Sequence, residues 1–248
     1  MAMTSPSTTN HGDCPDCGGV GWMLTKDAQG REYGRRCSCL ARRLEEDKVN
    51  RLRDESGLAP RFQQRTFTAF KQRTETKAAY YEAVKFAREF PPKDGRGLIF
   101  IGPPGTGKTH LAAGILNHLR DRGIGGLFLT VPDLLDKIRS TYAENSDLTT
   151  EQVMDSVKRA RVLVLDDLGA ERLRGDRDEW AIERLYLIVN YRYEQMLPTI
   201  ITTNAIGPEL EERIGSRLVS RLSEMCERVV IKGEDWRRKA SGKAKEDE

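Results

Sequence analysis

From Gly97 onward the chain alternates short apolar runs with longer segments in which apolar residues recur every three or four positions. The runs 98–101, 126–130, 162–166 and 199–203 have the length and β-branched content of buried strands. Between them, Leu111, Ala112, Ile115 and Leu119 share one helical face, as do Ala181, Leu185, Ile188 and Val189. Strands that are apolar on both faces and alternate with helices predict a parallel sheet sandwiched by helices, an α/β fold. Residues 133–159, between the second and third strands, leave room for two helices.

Before Gly97 the pattern changes. Residues 1–12 are polar and rich in Ser and Thr, a composition with little to bury. Residues 42–55 are charge-dense, with Leu40, Leu44 and Leu52 as sparse apolar positions, and predict an exposed helix. Gly57 and Pro60 punctuate its end, which places a boundary near residue 57. The expected organisation is an N-terminal module over 1–57 and a main domain over 58–248 that ends in a mixed-charge tail.

At 248 residues the chain can build one mid-sized core and a small appendage. A net charge of +3 with 32% charged residues gives no ground for a general attraction to nucleic acid, so any DNA contact has to come from a local patch. No apolar run approaches the roughly 20 residues that span a bilayer, and Met1 to Asn10 does not read as a signal peptide. A cytoplasmic protein is expected. Four of the five cysteines fall before residue 40, which in such a compartment points to a metal site rather than to disulfides.

The strand ending at Ile101 runs directly into Gly102, Pro103, Pro104, Gly105, Thr106, Gly107, Lys108 and Thr109, a full match to G-x-x-x-x-G-K-[ST], and a helical pattern follows. Glycines let backbone N–H groups converge on phosphates at a helix N-terminus, Lys108 reaches the β and γ phosphates, and Thr109 offers its hydroxyl to magnesium. His110 completes the nucleotide-binding stretch. The strand 162–166 ends in two carboxylates. Asp166 suits the magnesium shell and Asp167 the orientation or deprotonation of an attacking water, with Glu171 a weaker candidate base. Asn204, at the end of the next strand, is suited to sense a water or a γ-phosphate oxygen.

Together these segments resemble the AAA+ class, and within it the DnaC/DnaI-type helicase loaders and the related IstB transposition ATPases, from about Pro60 to Arg237. The resemblance is carried by the 102–112 stretch, by 162–171, by Thr202, Thr203 and Asn204, and by the closing segments 214–222 and 235–237. It implies ATP and Mg2+ as cofactors, slow hydrolysis stimulated by DNA or a partner, and the loading of a replicative DNA helicase onto single-stranded DNA during the initiation of replication. The alternative is an IstB-type transposition helper. It also implies self-association, with Arg221 as an arginine finger reaching a neighbouring subunit, Arg217 as its competitor and Arg237 as a second nucleotide sensor. The residues after Asn204 are too few for a separate helical lid, as in the loader group. Lys137, Arg139, Tyr142 and Trp180 fall where such proteins line a single-strand groove.

Cys14 and Cys17 form a knuckle followed by glycines, and Cys37 and Cys39 a second close pair. Four thiolates suit tetrahedral Zn2+, with His11 able to replace one ligand. The second spacing is C-x-C, and residues 1–57 hold nine basic and nine acidic residues, so charge does not decide between protein and DNA as this module's target. The resemblance implies that it grips the helicase. Cys226 is expected to be a half-buried thiol without a role.

Overall fold

The computed structural model describes residues 14–143, 146, 148–170 and 176–236. The chain forms two compact units divided between Arg51 and Leu52. In the first, strands β1 (Trp22–Lys26) and β2 (Glu32–Arg36) make an antiparallel hairpin in the register Trp22↔Arg36 to Lys26↔Glu32. Its turn is organised by Asp27, whose Oδ1 accepts from the Gln29 and Arg31 amides at 2.9 Å each. Helix α1 (Ser38–Glu55) follows and crosses the division between the units. It starts four residues before the charge-dense stretch suggests, because Ser38 and Cys39 already belong to its first turn. Gly21 and Cys37 are the buried residues among those described in this unit.

The larger unit opens with α2 (Pro60–Gln63) and α3 (Lys77–Glu89). The alternating part then runs β3 (Gly97–Ile101), α4 (Lys108–Asp121), β4 (Leu127–Thr130), α5 (Val131–Ser140), α6 (Thr150–Arg159), β5 (Leu163–Asp166), α7 (Asp176–Glu194) and β6 (Thr199–Thr203). After α8 (Pro208–Ile214) and α9 (Ser216–Met225), β7 (Cys226–Val230) closes the order. The α5–α6 pair fills the room expected for two helices. Thr130 and Thr149 cap the two N-termini by accepting from the Asp133 and Gln152 amides.

The sheet is parallel throughout, in the order β4-β5-β6-β3-β7. Alternate strand residues enter opposite layers, as the double-faced apolar runs predict. Ile99, Ile101, Leu163, Leu165 and Ile201 pack with α5, α6, α7, α8 and α9. Leu98, Phe100, Val164 and Ile200 pack with α3 and α4. The fifth strand, β7, is an addition to the four that the sequence pattern predicts. It places Cys226 in the sheet, buried rather than half-buried, and burial pushes its thiol up to about 12.

The most deeply buried cation among the described residues lies in this core. Arg192 of α7 is fully buried. Its Nε donates to Thr199 Oγ1 at 2.9 Å, Nη2 to the Pro198 carbonyl at 2.7 Å, and Nη1 to the carbonyls of Lys158 and Ala160 at 2.9 and 2.7 Å. Burial lowers its pKa to about 9, which still leaves it charged at neutral pH. Removing it strands several buried acceptors at the end of α6. Arg192→Leu should therefore destabilise the larger unit by about 3 kcal/mol or more in urea denaturation. A loss below about 1 kcal/mol would mean that those carbonyls find other donors.

Candidate nucleotide-binding site and its surroundings

Strand β3 ends at the sheet's carboxyl edge, and Gly102 leaves it between two neighbours. Its amide donates to the Thr203 carbonyl at 3.3 Å, and a Cβ here would run into the Ile231 carbonyl. The loop closes at Gly107, whose φ of 98° lies in the left-handed region, and α4 begins at the next residue. The first-turn amides of α4 and the positive end of its dipole thus open onto the loop. Lys108 is buried, and its Nζ donates to the Gly102 and Pro103 carbonyls at 2.8 Å each. Thr106 Oγ1 donates to the Pro103 carbonyl at 2.9 Å, while Pro103 and Pro104 are exposed on the loop's outer side. His110 is held from the α2–α3 segment. Its Nε2 lies 2.9 Å from the Thr66 carbonyl, its ring meets Phe70 edge-on, and burial lowers its pKa.

The strand order puts β6 between β3 and β5, so the end of β6 lies between the phosphate loop and the carboxylates. Asp166 is buried and interacts with Thr109 and Lys108 of the loop. Burial raises its carboxyl above the ordinary value and the Asp167 charge adds to this, while the hydroxyls of Thr202 and Thr109 and the Lys108 ammonium oppose it. Asp167 is only half-buried and turns outward at a φ of 57°. The pair thus offers a buried carboxylate beside the lysine and a wetter one next to it, two different environments for two neighbouring acids. Thr202, named above only as part of the 202–204 stretch that carries the resemblance, donates its hydroxyl to the Asp166 carboxylate and accepts from the Asp167 amide. The available signal is three threonines in a strand buried on both faces, whose hydroxyls have to find partners.

Asn204 is exposed immediately after β6. Arg221 of α9 is half-buried, with its guanidinium 4.4 Å over the Tyr193 ring and 4.0 Å from Glu224, and Tyr193 donates to Glu224 at 2.6 Å. Its partners are these rather than the phosphate loop. Arg217, one turn earlier, is exposed. Glu171, Arg237 and His11 lie outside the described residues. The segment before Arg237 reaches the site. Asp235 lies against Gly105, the Trp236 amide donates to the Gly105 carbonyl at 3.4 Å, and the Arg73 guanidinium stacks on the Trp236 ring.

In the smaller unit the four Sγ atoms of Cys14, Cys17, Cys37 and Cys39 lie within 4.8 Å of one another. Cys14 and Cys37 are 3.7 Å apart and Cys17 and Cys39 3.3 Å, close to the roughly 3.8 Å edge of a tetrahedron with Zn–S bonds of about 2.3 Å. The Gly21 amide donates to Cys17 Sγ at 3.2 Å. Burial pushes the Cys17 thiol up, but that amide and the neighbouring thiols outweigh it and lower its pKa to about 7, while its hydrogen-bonded partner Cys39 is pushed up to about 12, so one proton leaves this pair readily and the other is held. The donor set fits zinc.

Three of the four residues expected near DNA meet on the surface of the larger unit. Trp180 Nε1 donates to Tyr142 Oη at 3.1 Å, and the Arg139 guanidinium lies 5.0 Å over the indole. Lys137 is exposed on the same helix as Arg139.

A five-stranded parallel sheet with a phosphate loop after one strand and paired carboxylates after another defines an AAA+ P-loop fold. The chain belongs to the IstB-like ATP binding protein family, whose sequence profile matches residues 50–244. It is 31% identical over 192 residues to the replicative helicase loader DnaC of Escherichia coli (strain K12), covering 75% of this chain and 74% of that protein. The crystal structure of the DnaC helicase loader superposes with a TM-score of 0.62 at 34% identity, over 70% of this chain and 99% of that one. The replication initiator DnaA bound to AMPPCP and single-stranded DNA superposes at 0.60 with 25% identity, over 71% of this chain and 51% of that one. No described helix is long and apolar enough to cross a membrane.

Lys108→Ala should weaken ATP binding at least about ten-fold, the size of a lost hydrogen bond to a charged group. Equilibrium binding of a fluorescent ATP analogue checks it, and unchanged affinity in a folded variant would remove the lysine from the site.

Proposed function

We propose that this chain is an ATP-hydrolysing loader of a replicative DNA helicase onto single-stranded DNA, active in the initiation of replication. The observation that carries the reading is its likeness, over nearly the whole of the other chain, to a solved helicase loader. Lys108 and the backbone N–H groups of residues 105–109 hold the phosphates, Thr109 and Asp166 the magnesium, and Asp167 and Asn204 the attacking water and the γ-phosphate. Magnesium supplies charge neutralisation across the phosphates. Arg237 contacts nucleotide as a second sensor. Arg221 acts in trans on a neighbouring subunit, and its stacking on Tyr193 supports a guanidinium held in one direction at a surface, as a finger needs.

The Arg139, Tyr142 and Trp180 cluster is the DNA contact. Aromatic faces with a cation beside them hold single strands with little regard to sequence. The cysteine module binds Zn2+ and grips the helicase. A hairpin with almost nothing buried needs a covalent or metal crosslink to hold its shape. The transposition-helper reading has one observation in its favour, the IstB-like profile itself, but that match begins at residue 50 and leaves the cysteine module unexplained.

Purified protein should carry about one zinc per chain, lost on Cys14→Ser with Cys17→Ser. It should also retain the host replicative helicase through affinity purification until residues 14–39 are deleted. Retention by the deleted chain would move the helicase contact elsewhere, and metal-free native protein would remove zinc from the reading.

Asp167→Asn should keep ATP binding and slow turnover, and Arg221→Ala should do the same by a factor of roughly 10³. Mixing Arg221→Ala with Lys108→Ala chains should restore part of the turnover, because one supplies the pocket and the other the finger. Inactive mixtures of a demonstrably oligomeric protein would transfer the role to Arg217.

A further inference from the structure

Thr202 has no solvent exposure, and its hydroxyl has two partners where the chain leaves β5. It donates to Asp166 Oδ1 at 2.6 Å and accepts from the Asp167 amide at 2.9 Å. A hydroxyl carries one proton, so a carboxylate acceptor on one side leaves its lone pairs for the amide on the other. The Leu168 amide donates to the Thr202 carbonyl at 2.8 Å, and Thr203 Oγ1 donates to the Leu168 carbonyl at 2.7 Å. The last residue of β5 and the two that follow it are thereby anchored on two residues of β6. Within these anchors Asp167 holds a left-handed φ of 57°, a conformation that residues with side chains seldom adopt unsupported. The kink separates a buried Asp166 from a half-exposed Asp167.

We propose that Thr202 is a positioning residue for the acidic pair: one hydroxyl holds Asp166 Oδ1 and the Asp167 amide together, keeping Asp166 Oδ2 for magnesium-nucleotide and Asp167 turned toward water. The inference rests on the reading of this site as one for ATP and magnesium. A hydroxyl that merely satisfies itself in the core would make the same bonds but leave metal binding indifferent to its loss.

Valine has the shape of threonine without the hydroxyl, and serine keeps the hydroxyl without the methyl. Titrations of a fluorescent ATP analogue in EDTA and in Mg2+ separate the two roles. Thr202→Val should bind the analogue in EDTA as the wild type does and lose about ten-fold or more of the affinity that Mg2+ adds, the usual range for a residue orienting a metal ligand. Thr202→Ser should recover most of that gain, and ATP turnover should follow the same order. If Thr202→Val does not fold, Thr202→Cys, with its weak hydrogen bonding, takes its place. A folded Thr202→Val with the full magnesium gain overturns the proposal, as does a Thr202→Ser that falls as far as valine. If the wild type gains no affinity from Mg2+, the reading of Asp166 fails first and takes Thr202 with it.

Discussion

Strand β3 is hydrogen-bonded on both sides, to β6 and to β7, and both of its faces are buried under helices. A strand held this way has no freedom to shift, and its chain leaves at one defined point on the sheet's carboxyl edge. The phosphate loop inherits that position. Because all strands are parallel, β5 and β6 release their chains at the same edge, and the order brings the carboxylates, the β6 hydroxyls and the loop lysine into one row. Nothing in the row needs a flexible loop to assemble it.

The cost of this arrangement is electrostatic. It buries a carboxylate and an ammonium in a place from which water is largely excluded, where an unsatisfied charge is expensive. Loop carbonyls hold the lysine and hydroxyls hold the carboxylate, so the charges are partnered within the fold itself. The small unit solves the opposite problem. With Gly21 and Cys37 as its buried residues among those described, it has almost no apolar core, and four converging thiols stand in for one.

What the amino-acid sequence displays and what it conceals follow from the same physics. Strands β3, β4, β5 and β6 are legible as short runs dominated by apolar and β-branched residues, the three inner ones because both of their faces are buried, and the phosphate loop is legible because phosphate geometry demands glycine and lysine at fixed spacing. Strand β7 is hidden, since Glu227 and Arg228 interrupt it and an edge position lets them reach solvent. The β1–β2 hairpin is hidden too, as most of its residues are exposed and its charged residues read as loop. The carboxylate pair announces itself at the end of an apolar strand, but the hydroxyl that holds it does not, because threonine is an ordinary strand residue until its neighbour is known. Arg192 is concealed for a similar reason: between two tyrosines, on a helix ending in charged residues, it reads as a surface residue.

That buried guanidinium has a mechanical consequence. It clasps the carbonyl end of α6 and the first residues of β6 in a single grip. The root of the strand whose far end holds the carboxylates cannot slide without carrying α6 along. One side chain thus fastens the helix that precedes β5 to the strand that lies beside it, and its loss would free both together.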